Sequence, residues 1–355
     1  MKPTTLLPLL GLASALPNRP SPHPHHLSWT LLPLPSTDRF RGLSPVSRST
    51  AYLAGTNATV FRTTDAGASW SDVSPRSLIS ANETASIQFR DIHAFTPSHA
   101  VALTIGEGAL SRIYTTRDAG ASWTAAFVNA DPEAFYDCIA FSNATHGIAL
   151  SDPVGGAFRL LETRDAGESW RVLDDAKVPA ALKGESAFAA SGTCIEAAAG
   201  RWYVASGGVS PARVYRSADN AKTWDVVSST LPGGAASGVF SVRFRDAARG
   251  VVVGGDFEHP DARNGTIAAW SNDGGASWVP AVTMPGGYRS GAAWVGGKAG
   301  KGVVVAVGPT GADVSVDGGR SWRGFSNESF DAVECVRGTC WASGVGRVAR
   351  LEGWW

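Results

Sequence analysis

The sequence predicts an all-β chain folded as a seven-bladed β-propeller of four-stranded blades. Three observations carry that reading: a repeated eight-residue phrase, a four-strand rhythm around each copy, and two chain ends that are each incomplete alone. The phrase is Ser/Thr-x-Asp-x-Gly-x-Ser/Thr-Trp. It reads TTDAGASW at Thr63–Trp70, TRDAGASW at Thr116–Trp123, TRDAGESW at Thr163–Trp170, SADNAKTW at Ser217–Trp224, SNDGGASW at Ser271–Trp278 and SVDGGRSW at Ser315–Trp322. Its aspartates (Asp65, Asp118, Asp165, Asp219, Asp273 and Asp317) lie 53, 47, 54, 54 and 44 residues apart. A period near that length marks a repeated supersecondary unit that cannot bury its apolar face alone.

Each phrase has the chemistry of a tight turn. Ser/Thr and Asp side chains bond nearby backbone N–H groups. Glycine supplies a positive φ, and Trp locks the turn against its sheet. The fourth copy has Ala221 in place of Gly and carries Asn220, which tolerates the left-handed region, one place earlier. It is the weakest match of the six, and all six read as structural.

The strands around the first phrase are Phe40–Val46, Thr50–Ala54, Thr59–Thr63 and Trp70–Val73. They are rich in β-branched and aromatic residues and are punctuated by Gly, Asn and Pro. Helical periodicity is absent apart from a single turn expected near Asp131–Phe135. After the sixth phrase come three strands, Phe330–Val336, Cys340–Gly344 and Arg347–Leu351, with no phrase to follow. Leu27–Pro35 (LSWTLLPLP) resembles the strand that follows each phrase. It therefore supplies the fourth strand of the last blade, with Trp29 as the seventh Trp of the series, and the ring closes without long free edges.

Lys+Arg and Asp+Glu balance at 31 each in 355 residues, so no overall field favours nucleic acid or an anionic membrane. The N-terminus reads as a secretory signal over residues 1–15: Lys2, an apolar run Leu6–Leu12, then Ala13-Ser14-Ala15 for cleavage. Residues 16–26 form a Pro/His-rich spacer expected to be disordered, and 27–355 form one propeller domain. Asn-x-Ser/Thr sequons begin at Asn57, Asn82, Asn143, Asn264 and Asn327 near turns, where glycans project outward. A secreted, extracellular glycoprotein is expected. Cys335 and Cys340 flank a predicted hairpin turn and suit a disulfide; Cys138 and Cys194 sit at equivalent places on neighbouring inner strands, where a bond or two free thiols would both fit. No metal signature and no nucleotide-binding glycine loop occurs, so neither metal nor cofactor is expected.

Loops entering the first strand and leaving the second emerge near the channel, opposite the phrases. Polar residues gather there: Phe40-Arg41-Gly42, Phe89-Arg90-Asp91, Phe135-Tyr136-Asp137, Glu185-Ser186 before Phe188, Gly287-Tyr288-Arg289-Ser290 and Phe330-Asp331. Second-strand exits add Asp152 and Asp256. Arg41, Arg90, Tyr136, Tyr288, Arg289 and Asp331 are the candidate ligand-binding residues. Asp91, Asp137, Asp152, Glu185 and Asp256 are the carboxylates from which a glycosidase could draw an acid and a base or nucleophile. The alternative for any of them is structural, since Arg and Asp at inner-strand starts also stitch adjacent blades together.

The phrase resembles the Asp-box, or bacterial neuraminidase repeat. Beyond it, FRGLSPVS, FRDIHAF, GIALSDPVGGAF, AFAASGTC, VVVGGDFE and GYRSGAAW are similar to single-domain seven-bladed propellers related to the photosystem II assembly factors, over roughly Trp29 to Leu351. That resemblance implies protein binding through an Arg-rich face, without catalysis, and Arg41, Arg90 and Arg289 match that face by location. Sialidases share the box but use six blades and an Arg-Ile-Pro signature that is missing here. Xyloglucan-cleaving hydrolases share it too, on two tandem propellers. The expected function is therefore a secreted, non-catalytic, monomeric binding propeller for a protein or glycan ligand. A carbohydrate-active hydrolase using paired mouth carboxylates is the alternative.

Overall fold

The computed structural model describes residues 27–263, 265–296 and 302–353. The expected signal and spacer, and the sequon residue Asn264, lie outside the described residues. Seven four-stranded antiparallel sheets follow one another around a ring. The inner strands are Phe40–Pro45, Gln88–Ala94, Tyr136–Phe141, Ile195–Ala198, Ser237–Phe244, Gly291–Trp294 and Ala332–Val336, in blades 1 to 7. The single turn expected near Asp131–Phe135 forms, with the Ala134 N–H donating to the Asp131 carbonyl at 3.2 Å.

Each sheet buries both faces against its neighbours, which is why second strands such as Ala51–Gly55 and Val304–Gly308 are buried along their whole length. Each of the seven seams has its own apolar cluster, for example Tyr52, Phe89 and Tyr114 between blades 1 and 2, or Phe40, Trp70 and Trp341 between blades 1 and 7. No seam is left open. Closure is a consequence of burial: an unclosed ring would expose two such faces.

The last blade is shared. Ser28–Leu32 pairs antiparallel with Arg347–Glu352, Trp29 opposite Leu351. In blade 1 Ser71 pairs with Arg62, which sets Trp70 opposite Thr63 in the same register. Trp29 packs on Phe325 of blade 6 and Phe330 of blade 7, with ring centroids 5.9 and 5.2 Å away.

All six phrases adopt one turn. In the first, Thr63 Oγ1 donates to Asp65 Oδ1 (2.8 Å) and accepts from the Gly67 N–H (3.0 Å). Asp65 in turn accepts from the N–H and hydroxyl of Ser69 (2.9 and 2.5 Å). The fourth copy keeps this geometry through Ser217, Asp219 and Thr223. Two consecutive residues are left-handed in every copy: Ala66 and Gly67 have φ of 63° and 86°, Asn220 and Ala221 61° and 65°. The residue before the glycine thus shares the demand for positive φ, and three copies meet it with alanine.

Both disulfides form, Cys138–Cys194 and Cys335–Cys340, and no described cysteine is free. The first ties the inner strand of blade 3 to blade 4; the second closes the innermost hairpin of blade 7. The side chains of Asn57, Asn82, Asn143 and Asn327 are exposed. No helix is long and apolar enough to cross a membrane.

Candidate functional site at the channel mouth

Four inner strands share one irregularity near their start. Strand pairing slips by a residue between Phe40 and Gly42, Phe89 and Asp91, Tyr136 and Cys138, and Val239 and Ser241. A β-bulge of this kind re-aims the extra side chain. The flanking residues Phe40, Phe89, Tyr136 and Val239 are buried in the seams, while the bulged ones, Arg41, Arg90, Asp137 and Phe240, all line one cavity at the channel mouth. The strand pairing therefore aligns Tyr136-Asp137-Cys138 with Phe89-Arg90-Asp91. The triplet that begins at Phe135 is one residue out of step, because a bulge is invisible to simple alternation.

The cavity holds about 550 Å³, within the range that takes a small ligand. Arg39 and Arg41 from blade 1 and Arg90 from blade 2 line one side, and Asp137 and Asp152 of blade 3 follow. Phe188, Phe240, Phe257 and Tyr288 from blades 4 to 6 form the opposite wall. Phe188 and Phe240 stack at 4.1 Å, and Tyr288 meets Phe240 edge-on at 4.7 Å. With Ala190 they make an apolar cluster separate from the seams.

The arginines are unequally satisfied. Arg39 makes a two-point contact with Asp331 (2.9 and 2.6 Å). Arg41 reaches the same carboxylate only at 3.6 Å, and its Nε has no partner. Burial lowers the Arg41 pKa, an effect that Asp331 partly opposes. Arg90 donates to the Ala189 carbonyl (2.8 Å) and Gln88 (2.9 Å), again leaving Nε free. Arg41 and Arg90 thus line the cavity, each with a buried Nε donor that no protein group accepts.

Asp137 and Asp152 stand beside each other. Burial, then the neighbouring Asp152 charge, push Asp137 well above the usual carboxylate range, and burial pushes Asp152 up to about 6. Asp152 accepts the Ala187 N–H at 2.8 Å, whereas Asp137 Oδ2 is buried with no partner.

The other sequence candidates lie elsewhere. Tyr136 is buried in the seam between blades 2 and 3 against Phe127, its hydroxyl pushed up to about 12 by burial. Arg289 is buried with Asp313, Nε and Nη2 donating at 2.6 and 2.5 Å. Asp331 sits behind the wall, holding Arg39. Glu185 is clamped by Arg213, Ser206 and Tyr215; burial pushes it up, but those hydrogen bonds outweigh burial and hold it below its ordinary value. Asp256 caps its own turn through the N–H groups of Glu258 and His259. Asp91 faces the opposite end of the channel, in a second cavity of about 330 Å³ with Glu196, Arg243 and Glu334.

The two cavities share no lining residue. Between them runs Ser191-Gly192-Thr193 of blade 4. Ser191 Oγ donates across the axis to the Ser290 carbonyl of blade 6 (2.7 Å), and Thr193 Oγ1 donates to Ser241 of blade 5 (2.8 Å). A Cβ on Gly192, whose φ is +73°, would lie 2.4 Å from Asp91 Oδ1, so only glycine lets the strap cross there. Contacts of this strap with blades 2, 5 and 6 thus narrow the channel between the mouth and the far cavity.

Sequence reasoning missed Arg39, Phe188, Phe240 and Phe257. Phe240 has a signal, since Val239-Phe240-Ser241 repeats the bulge pattern; Phe188 and Phe257 stand on irregular segments with none. Among the described residues no cluster of three or more His, Cys, Asp or Glu could hold a metal ion.

No family model matches the chain, and no curated protein matches it. Among solved structures it is similar to YCF48 from Cyanidioschyzon merolae, with a TM-score of 0.66 and 13% identity over 91% of this chain and 98% of that one. It is likewise similar to YCF48 bound to D1 peptide, with a TM-score of 0.61 and 17% identity over 91% and 96%. The WD40 propeller domain of Doa1 follows at 0.55 and 10%, over 92% and 96%. At these identities the likeness is one of fold: a single seven-bladed propeller that aligns along nearly its whole length.

Proposed function

We propose that this chain is a secreted, non-catalytic binding propeller that holds a peptide segment of a protein partner in the channel mouth. The observation that carries the reading is the composition of the mouth cavity. Guanidinium groups lie across from an apolar aromatic wall, and the polar side chains are almost all formally charged. A peptide with an acidic residue beside an apolar one meets both surfaces. Among the lining residues Tyr288 carries the one neutral hydroxyl and none carries an amide. The similarity to a propeller solved with a peptide bound supports the reading, and the two disulfides suit an oxidising compartment.

The alternative is a carbohydrate-active hydrolase, favoured by one observation: Asp137 and Asp152 are adjacent, and burial raises both. A displayed peptide library and a panel of oligosaccharides separate the two. Peptides selected by the wild-type protein and lost with Arg41→Gln or Arg90→Gln, at unchanged melting temperature, support binding. New reducing ends that vanish with Asp137→Asn would replace that reading with the hydrolase.

A further inference from the structure

Two neighbouring carboxyl groups, Asp137 and Asp152, in a desolvated wall are an unusual expense for a fold, and the Ala187 N–H that Asp152 accepts at 2.8 Å offsets only part of it. Among the described residues neither has a salt-bridge partner, although three arginines line the same cavity. None of those arginines is paired with blade 3: Arg39 holds Asp331, Arg41 lies 3.6 Å from the same carboxylate, and Arg90 donates to Ala189 and Gln88. Asp137 is 2% exposed, lines the cavity, and has an Oδ2 that meets no donor. Its position follows from the bulge between Tyr136 and Cys138, and the Cys138–Cys194 bond holds the next residue in place. A buried carboxyl pair without a cation is costly, and it is relieved when one is supplied.

We infer that the Asp137–Asp152 pair is an ammonium subsite, which receives a lysine side chain or a free amino end of the peptide in the mouth. The inference rests on the proposed peptide-binding function and adds the ligand's charge pattern. An anionic group faces Arg41 and Arg90, a cationic one faces blade 3, and an apolar side chain lies on Phe188, Phe240 and Phe257. Phe188 follows Ala187, whose N–H already holds Asp152, so the cationic and apolar subsites adjoin. When the ammonium docks, the proton that the pair holds leaves to solvent, and the pair binds the cation in ionised form.

The test uses two blocked tripeptides, acetyl-Lys-Phe-Glu-amide and its twin with the lysine side chain acetylated, titrated calorimetrically into the disulfide-intact protein. The lysine probe should bind roughly tenfold tighter than the twin, with proton release shown by a dependence of the binding heat on buffer ionisation. Asp137→Asn should erase that preference and the proton release. Asp152→Asn serves as the second variant should Asp137→Asn fold poorly. Equal affinities in the wild type, no binding of either probe, or a preference that survives both substitutions would overturn the subsite. If affinity still depends on Arg90→Gln and Phe257→Ala, only the ammonium inference falls. If neither of those changes matters, the peptide-binding reading falls with it.

Discussion

Trp29 on the first described strand lies opposite Leu351 on the last, so the ring is shut by the two ends of the chain. Because each blade buries its faces on its neighbours, that one pairing protects the seam on both sides of blade 7. Trp29→Ala removes the contacts with Phe325 and Phe330 from a half-buried site and should cost about 2 kcal/mol in denaturant unfolding. Deleting Leu27–Pro35 should lower the melting temperature far more. An unchanged melting curve after the deletion would show that the ring does not depend on this strand.

The repeated turn makes a prediction of opposite signs at neighbouring positions of the phrase, tested in two different copies. Ala119 has a φ of 67°, a conformation that costs an L-residue about 1 kcal/mol, so Ala119→Gly should stabilise by a few tenths up to about 1 kcal/mol. At Gly167 the φ is 87° and a Cβ would stand 2.4 Å from Val101 Cγ2. Gly167→Ala should therefore destabilise by roughly 1–3 kcal/mol. Paired denaturation curves decide it, and a loss of stability in Ala119→Gly would contradict the account.

The far cavity sets a pH dependence. Burial pushes Asp91 up to about 8, against the N–H groups of Ile92 and Ile139 that bond it, and pushes Glu196 up to about 7. Arg243, 3.1 Å from Glu196 and 3.0 Å from Glu334, only partly offsets this. Groups whose folded pKa is raised bind more protons folded than unfolded, so their stabilisation is full below the unfolded value and fades as pH rises through the folded one. His93, held down to about 4 by burial, works the other way: its contribution is complete above its unfolded value near 6.5 and is lost as pH falls. Between about pH 6.5 and 8 the acids act alone, and stability should decline. Asp91→Asn should reduce that slope, leaving the share that Glu196, Glu334 and Asp137 contribute, and an unaltered slope would remove Asp91 from the explanation.

How the site was legible depends on the residue. Arg41, Arg90, Asp137, Asp152 and Tyr288 were visible because strand order alone brings inner-strand starts and second-strand exits to one end of the channel. Arg289 and Asp331 belong to the same chain positions, yet Arg289 points to Asp313 and Asp331 to Arg39. The side a charged residue faces is settled by which partner packing brings within reach, and that partner lies 24 or 292 residues away.

By itself the sequence determined the blade count, the closing strand and the phrase turns, because these rest on local hydrogen bonding and on a repeated pattern of burial. Only the tertiary structure decided that Asp91 faces away from the mouth, that Ser191-Gly192-Thr193 narrows the channel's waist, and that Phe188, Phe240 and Phe257 build an apolar wall. Those outcomes come from bulges and from contacts between blades, where a single-residue slip in register turns a side chain from a seam into the channel.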